Sequence, residues 1–264
     1  MTQNKVLLVL VDGMRPDSIA ACGNPAYQKY FEEGAHSYGA QTTFPPVTLP
    51  AHMSLFHSVP SERHGVTTNH YIENNHPING LIEVIANAGK KSGFFYCWEQ
   101  LRNLCTPGKH LSYSWFMSWN AYKWMDIDRR ATKACKEYIA EFQPDFAFLY
   151  LGETDEYGHN YGWMGPEYLN CVKTAEDCIL DIASFLPPEY SVIVTADHGG
   201  HDRNHGENIP EDMTIPITCH GPMFEKGSIL ENASIIDIAP TITEILGIPA
   251  DPDWEGKSLI PNAE

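Results

Sequence analysis

Val6-Leu7-Leu8-Val9-Leu10-Val11 runs without a break into Asp12-Gly13. Six consecutive aliphatic residues leave no polar face, so as a strand they need cover on both sides, as in a parallel sheet between helices. Two other stretches repeat the pattern. Phe146-Ala147-Phe148-Leu149-Tyr150-Leu151 leads through Gly152-Glu153-Thr154 to Asp155, with His159 four residues on. Val192-Ile193-Val194-Thr195-Ala196 leads into Asp197-His198-Gly199-Gly200, with His205 close behind. In open α/β sheets the ligand site lies outside the carboxyl ends of the strands. Three carboxylates gathered at that edge repel one another unless a counter-charge is present. Histidines arriving with them point to metal ions as that charge.

Outward from these runs, strand and helix alternate. Strands or extended segments are predicted at 36–43, 92–97 and 214–220 besides the three above. A helix start is predicted at Pro16-Asp17-Ser18. Helices are predicted over 25–33, 48–57, 79–88, 120–142, 166–185 and 234–246, with Pro60-Ser61 as a turn. Gly34, Gly89, Gly247 and Pro144 stand where these helices stop. The expected fold is α/β: a three-layer sandwich with a mostly parallel central sheet flanked by helices. The 264 residues are read as one domain spanning 1–264, without internal repeat or linker. Four of the six tryptophans lie between Trp98 and Trp124, among Tyr113, Phe116 and Tyr122. This segment, about 98–125, is read as a satellite core, a substrate-pocket wall or a subunit contact.

Bulk composition removes several function classes. A formal charge of −17 opposes a nucleic-acid-binding surface, which needs clustered Lys and Arg, but allows a small anionic substrate at a local cationic centre. No run approaches the ~20 apolar residues of a membrane span. Met1 to Lys5 leads into a short apolar run without a small-residue cleavage site, which reads as no signal peptide. The seven cysteines, at 22, 97, 105, 135, 171, 178 and 219, form no Cys-x-x-Cys pair and read as reduced thiols. The expected compartment is the cytoplasm. No oligomeric state follows from the sequence.

The chemistry concentrates in a few side chains. Asp155 and His159 share one face of a helical turn and can hold one ion. Asp197 and His198 are neighbours and reach one site only if the chain bends, which Gly199-Gly200 permits. Each pair alone is equally a solvated helix start or a strand-end turn; their joint occurrence after buried strands separates them from that reading. His205 and His201 compete as the next ligand. His205 lies beyond a loop with room to fold back, whereas His201 is close to His198; His220 is a third choice, read as a strand-end histidine. Thr48, between Pro45-Pro46-Val47 and Leu49-Pro50, falls at a predicted helix start, where N–H groups favour anions. Its hydroxyl is either a simple cap or, with metal bound, a nucleophile.

Val11-Asp12-Gly13-Met14-Arg15, Thr48-Leu49-Pro50-Ala51-His52, Pro60 to Asn69, Asp155-x-x-x-His159, Asp197-His198-Gly199 and Asp237-Ile238-Ala239-Pro240-Thr241 occur in this order. Together they resemble the alkaline phosphatase superfamily, in its type I phosphodiesterase / nucleotide pyrophosphatase branch. The resemblance covers about residues 5 to 260. It implies two divalent metal ions, zinc in first place and manganese as the alternative. One is held by Asp155, His159 and His205, the other by Asp12, Asp197, His198 and the Thr48 oxygen. It implies that Thr48 attacks phosphorus to give a phosphothreonine intermediate, and that Asn69 hydrogen-bonds a phosphoryl oxygen. The implied substrates are small phosphate esters, phosphodiesters or nucleotide pyrophosphates. Phosphomonoester or phosphonate hydrolysis is the alternative on the same site, and a non-catalytic metal-binding module the alternative of another class. Leu49 stands where nucleotide-hydrolysing members carry an aromatic residue. The Cys/Ser-x-Pro-x-Arg signature of sulfatases is absent.

Overall fold

The computed structural model describes residues 4–72, 78–104 and 110–261. Cys105, the ends of the chain and part of the aromatic segment lie outside them. Among the described residues seven strands join one sheet: β1 (Lys5–Val11), β2 (Ala35–Gln41), β3 (Ser92–Tyr96), β4 (Tyr113–Phe116), β5 (Phe146–Leu151), β6 (Tyr190–Thr195) and β7 (Thr214–His220), in the order β2-β7-β6-β1-β5-β3-β4. From β6 to β4 every pairing is parallel; β7 and β2 extend the other edge antiparallel. The three aliphatic runs are therefore central neighbours. Leu8 stands in register with Phe148 on one side and Ile193 on the other.

Two helix layers cover this sheet. Successive strand residues point to opposite faces, and Phe94 and Phe95 show which helices lie where. Phe94 packs on Phe56 of the helix Thr48–His57 at 5.5 Å, while Phe95 packs on Tyr138 of the helix Ile127–Phe142 at 5.8 Å. Pro166–Phe185 joins the second layer; Leu81–Asn87 and Ile238–Ile245 join the first. Burying the three central strands on both faces is what excludes water from the ends where the acids emerge.

The segment 120–142 is not one helix. Trp119–Tyr122 forms a single turn, the chain turns through left-handed Trp124 and Asp126, and a second helix begins at Ile127. The apolar residues on the N-terminal side of this break, Tyr122, Trp124 and Met125, are exposed and not part of the core face of the second helix. The edge strand β4 was not predicted: it is four residues long and mostly exposed, so it carries no buried run to detect. The helix Glu153–Tyr161, also unpredicted as an element, carries Asp155 and His159 one turn apart. Pro60-Ser61 opens one helical turn, Ser61–His64, and 234–246 resolves into a 3-10 turn followed by Ile238–Ile245.

Glu153–Tyr161 is tied to Ile127–Phe142 by reciprocal capping. Asp128 Oδ1 and Oδ2 accept the N–H groups of Gly152 and Glu153 at 3.0 and 3.3 Å, and Glu153 Oε2 accepts the Asp128 N–H at 3.3 Å. These are helix N-terminal donors with no partner within their own helices. Asp128→Ala leaves two buried donors unmet. Stability is expected to fall by about 2 kcal/mol or more, read as a lowered denaturant midpoint, with Asp128→Asn closer to wild type because one acceptor remains.

Candidate active site

Asp12, Asp155 and Asp197 emerge from β1, β5 and β6 and converge. Their surroundings use some of their oxygens and leave others. Asp12 Oδ2 accepts the phenol O–H of Tyr150. Asp197 Oδ1 accepts the N–H groups of Gly13 at 3.1 Å and His198 at 3.0 Å. Asp12 Oδ1, Asp155 Oδ1 and Asp197 Oδ2 are buried without a hydrogen-bond partner. Gly13 makes the convergence sterically possible: its φ is +66°, and a Cβ there would lie 3.2 Å from the backbone of Asp155.

Each histidine at this edge is oriented the same way. Nδ1 of His198 meets the Gly199 carbonyl at 2.8 Å, that of His205 the Pro46 carbonyl at 2.8 Å, and that of His159 the Arg203 carbonyl at 3.0 Å. A carbonyl only accepts, so Nδ1 carries the proton and the Nε2 lone pair faces the site. Two groups result: Asp155, His159 and His205, and Asp12, Asp197 and His198. Within each, the ligand atoms lie within 4.8 Å of one another. The rings of His198 and His205 stack at 3.8 Å and join the two. Thr48 Oγ1 lies 3.3 Å from His198 Nε2.

Thr48 is the first residue of its helix; Val47, extended, is the N-cap. The Leu49 N–H at this terminus donates to Asn69 Oδ1 at 3.0 Å, which holds the Asn69 amide at the site. All seven predicted ligands and both predicted catalytic residues are thus brought to one place. His201 is not: its Nδ1 contacts Asp212 Oδ1 at 2.8 Å, away from the ligand groups. His220 stacks on Tyr30 at 4.0 Å, as a strand-end histidine.

Burial sets the protonation states. It pushes the Asp12 carboxyl well above the usual range, with Asp197 and Asp155 adding repulsion. It raises Asp155 and Asp197 to about 8, Glu156 adding to the first and Asp155 to the second. It lowers His205 to about 4 and holds His198 well below its ordinary value, with His205 adding repulsion. Without a cation these acids hold protons and these imidazoles are neutral. A divalent metal takes the place of the protons and uses the lone pairs, so the donor set fits such an ion.

Three supporting residues escaped the sequence reading. Tyr150, the hydroxyl inside an apolar strand, bonds Asp12; such a buried O–H requires a partner, and that was the available signal. His52, fully buried, reaches the Thr48 carbonyl at 2.7 Å and lies 3.6 Å from Asp197 Oδ2. Trp163 donates from Nε1 to the Gly13 carbonyl at 2.9 Å, and its ring packs against Gly200, where a Cβ would come within 2.2 Å. Nothing in the sequence marks Trp163. A cleft of about 200 Å³ opens over the ligands, and Trp98 and Trp119 line it.

A family model described as type I phosphodiesterase / nucleotide pyrophosphatase matches residues 6–241. The human GPI ethanolamine phosphate transferase 2 catalytic subunit is 24% identical over 99% of this chain and 28% of its own length. The mouse bis(5'-adenosyl)-triphosphatase enpp4 is 26% identical over 89% of this chain and 53% of its own. The chain thus spans about a quarter to a half of these relatives. Among solved structures, murine ectonucleotide pyrophosphatase / phosphodiesterase 5, as an inactive threonine-to-alanine variant in complex with AMP, superposes with a TM-score of 0.80. It shares 16% identity, covering 97% of this chain and 98% of that one.

Two outcomes follow from the geometry. His205→Ala is expected to lose one metal equivalent and His201→Ala none, by metal analysis of the purified variants. For chelated protein, Asp155 and Asp197 have folded values near 8 against an ordinary 3.8. Folding favours their protonated forms, so their contribution is full below pH ~4 and lost as pH rises through ~8. The melting temperature of the chelated protein is expected to fall from about pH 6 to about pH 8 and to level off above that, and added zinc is expected to remove that fall.

Proposed function

The chain belongs to the type I phosphodiesterase / nucleotide pyrophosphatase family, and on that premise we propose that it hydrolyses phosphate diesters with Thr48 as nucleophile. The observation that carries this reading is the Thr48 hydroxyl at a helix N-terminus, 3.3 Å from His198 Nε2 and between two carboxylate–imidazole groups. Two metal ions, zinc in first place, would be held by Asp155, His159 and His205 and by Asp12, Asp197, His198 and Thr48. The orphaned carboxylate oxygens support that assignment. When bound, the ions supply positive charge that lowers the hydroxyl pKa and offsets charge on the phosphoryl oxygens.

Thr48 Oγ1 forms the bond to phosphorus, its proton passing to solvent, and the P–O bond to the first alcohol breaks. Water then cleaves the phosphothreonine, returning the hydroxyl and releasing the phosphomonoester. His52 anchors the Thr48 carbonyl and so fixes where the hydroxyl points. Asn69, its carbonyl engaged by Leu49 N–H, keeps its amide N–H groups for a phosphoryl oxygen. Diesters rather than monoesters are supported by the lining: among the described residues no Lys or Arg borders the cleft to clamp a dianion. The inactivity of the murine threonine-to-alanine variant supports the nucleophile. Six described cysteines are free, which supports a reducing compartment such as the cytoplasm.

Thr48→Ala is expected to lose at least about a thousandfold in kcat, ~4 kcal/mol, while still binding zinc; Thr48→Ser is expected to keep most activity. Near-wild-type turnover in Thr48→Ala would assign the attack to water. Across p-nitrophenyl esters, kcat/KM for diesters is expected to exceed that for monoesters, and a monoester preference above about tenfold would reverse the reading.

A further inference from the structure

We propose that Asp212 is a positioning residue for one half of the site. It fixes the loop that presents His205 and the Arg203 carbonyl, and so sets the affinity of the metal held by Asp155, His159 and His205; this rests on the ligand assignment above. Asp212 belongs to neither ligand group and does not line the cleft. It stands in the helical turn Pro210–Met213, just before β7, and is fully buried. Both of its carboxylate oxygens are engaged, and they hold one loop by its two ends. His201 Nδ1 donates to Oδ1 at 2.8 Å, and the Glu207 N–H donates to Oδ2 at 2.9 Å.

The loop between these two grips has little else to order it. Residues 201–207 are all polar or glycine, and Asp202, Arg203, Asn204 and Glu207 are exposed. Without apolar burial, such a segment takes its order from polar contacts. His201 and Asn204 exchange two backbone hydrogen bonds at 2.9 Å and close a turn, and the Asp202 carbonyl accepts the Trp163 N–H at 2.7 Å. The turn sets the Arg203 carbonyl against His159 Nδ1 at 3.0 Å. His205 follows it. The loop therefore supplies one ligand and the acceptor that orients a second. The other ligands rest on different supports. Asp12 and Asp197 leave the ends of β1 and β6, and His198 is oriented by the Gly199 carbonyl. The Gly199 N–H meets the Asp212 backbone carbonyl at 2.9 Å, which a side-chain substitution leaves in place. Asp155 and His159 ride on the helix that Asp128 caps. Removing the Asp212 carboxylate thus loosens His205 and the Arg203 carbonyl and leaves the remaining ligands supported.

The test is zinc titration against a competing chelator, with wild type, Asp212→Ala, Asp212→Asn, His205→Ala and His201→Ala. In Asp212→Ala one of two zinc equivalents is expected to weaken by about 10–100-fold, the same equivalent that His205→Ala removes, while the other binds as in wild type. Asp212→Asn keeps one acceptor and is expected to fall between; it carries the test if Asp212→Ala does not fold. His201→Ala removes one grip only and is expected to hold both equivalents. Amide hydrogen exchange on the chelated proteins reads the loop without metal. Protection of the Asn204 and Glu207 amides is expected to fall in Asp212→Asn, and that of β1 and β6 to stay unchanged. A merely structural role would lower protection across the sheet and weaken both equivalents together, and that outcome overturns the inference. So does wild-type affinity for both equivalents in the Asp212 variants. If the wild type binds no zinc, the ligand assignment fails by itself, and the exchange decides whether Asp212 fixes the loop: lost loop protection supports it, unchanged protection overturns it.

Discussion

Everything at the functional edge of this protein answers to one constraint: three carboxylates at the ends of three adjacent strands, taken out of water. Asp12, Asp155 and Asp197 each keep a buried oxygen without a hydrogen bond. Leaving such groups charged and unpaired in a dry interior is strongly unfavourable. The same burial that raises their pKa values lowers those of His198 and His205. Acid and imidazole are therefore displaced together toward the state that a divalent cation relieves. The protein spends stability to hold this arrangement, as functional sites commonly do.

The scaffold shows how that arrangement is enforced. The sheet centre supplies rigid strand ends, and parallel pairing brings all three to the same edge. Backbone carbonyls of Pro46, Gly199 and Arg203 each fix one imidazole, so the direction of every Nε2 is set by main chain rather than by flexible side chains. Trp163 and Tyr168 both donate to the Gly13 carbonyl, and Gly13 N–H in turn holds Asp197. His52 links the first turn of the nucleophile helix to the neighbourhood of Asp197. The chain positions Thr48, the ligands and the cleft wall through separate elements that meet only in the folded state.

Reading residues in order reached much of this. Continuous aliphatic runs located β1, β5 and β6 because burial on both faces leaves an unmistakable composition. Spacing of four placed Asp155 and His159 on one helical face before the helix itself was recognised, since it is short and opens with acids that also suit a loop. The strand Tyr113–Phe116 escaped because an exposed edge imposes no apolar pattern. The break at Trp124 and Asp126 escaped because Tyr122, Trp124 and Met125 are apolar yet exposed, so they mimic the buried face of the helix that follows. Beside the family resemblance, His205 and His201 were separable by loop length, which says how far a residue can travel but not where Asp212 stands to capture one of them.

What the sequence by itself determined is local: which runs must be buried, which acids follow them, which hydroxyl stands at a helix start. Those properties depend on the chemistry of neighbouring residues along the chain, and composition and period record them directly. Only the tertiary structure decided that β6, β1 and β5 are adjacent, that Tyr150 holds Asp12, and that Trp98, Trp119 and Glu156 line the same cleft as the ligands. These are contacts between residues tens to hundreds of positions apart. They are fixed by strand order and by packing of side chains against one another, and no single segment carries that information.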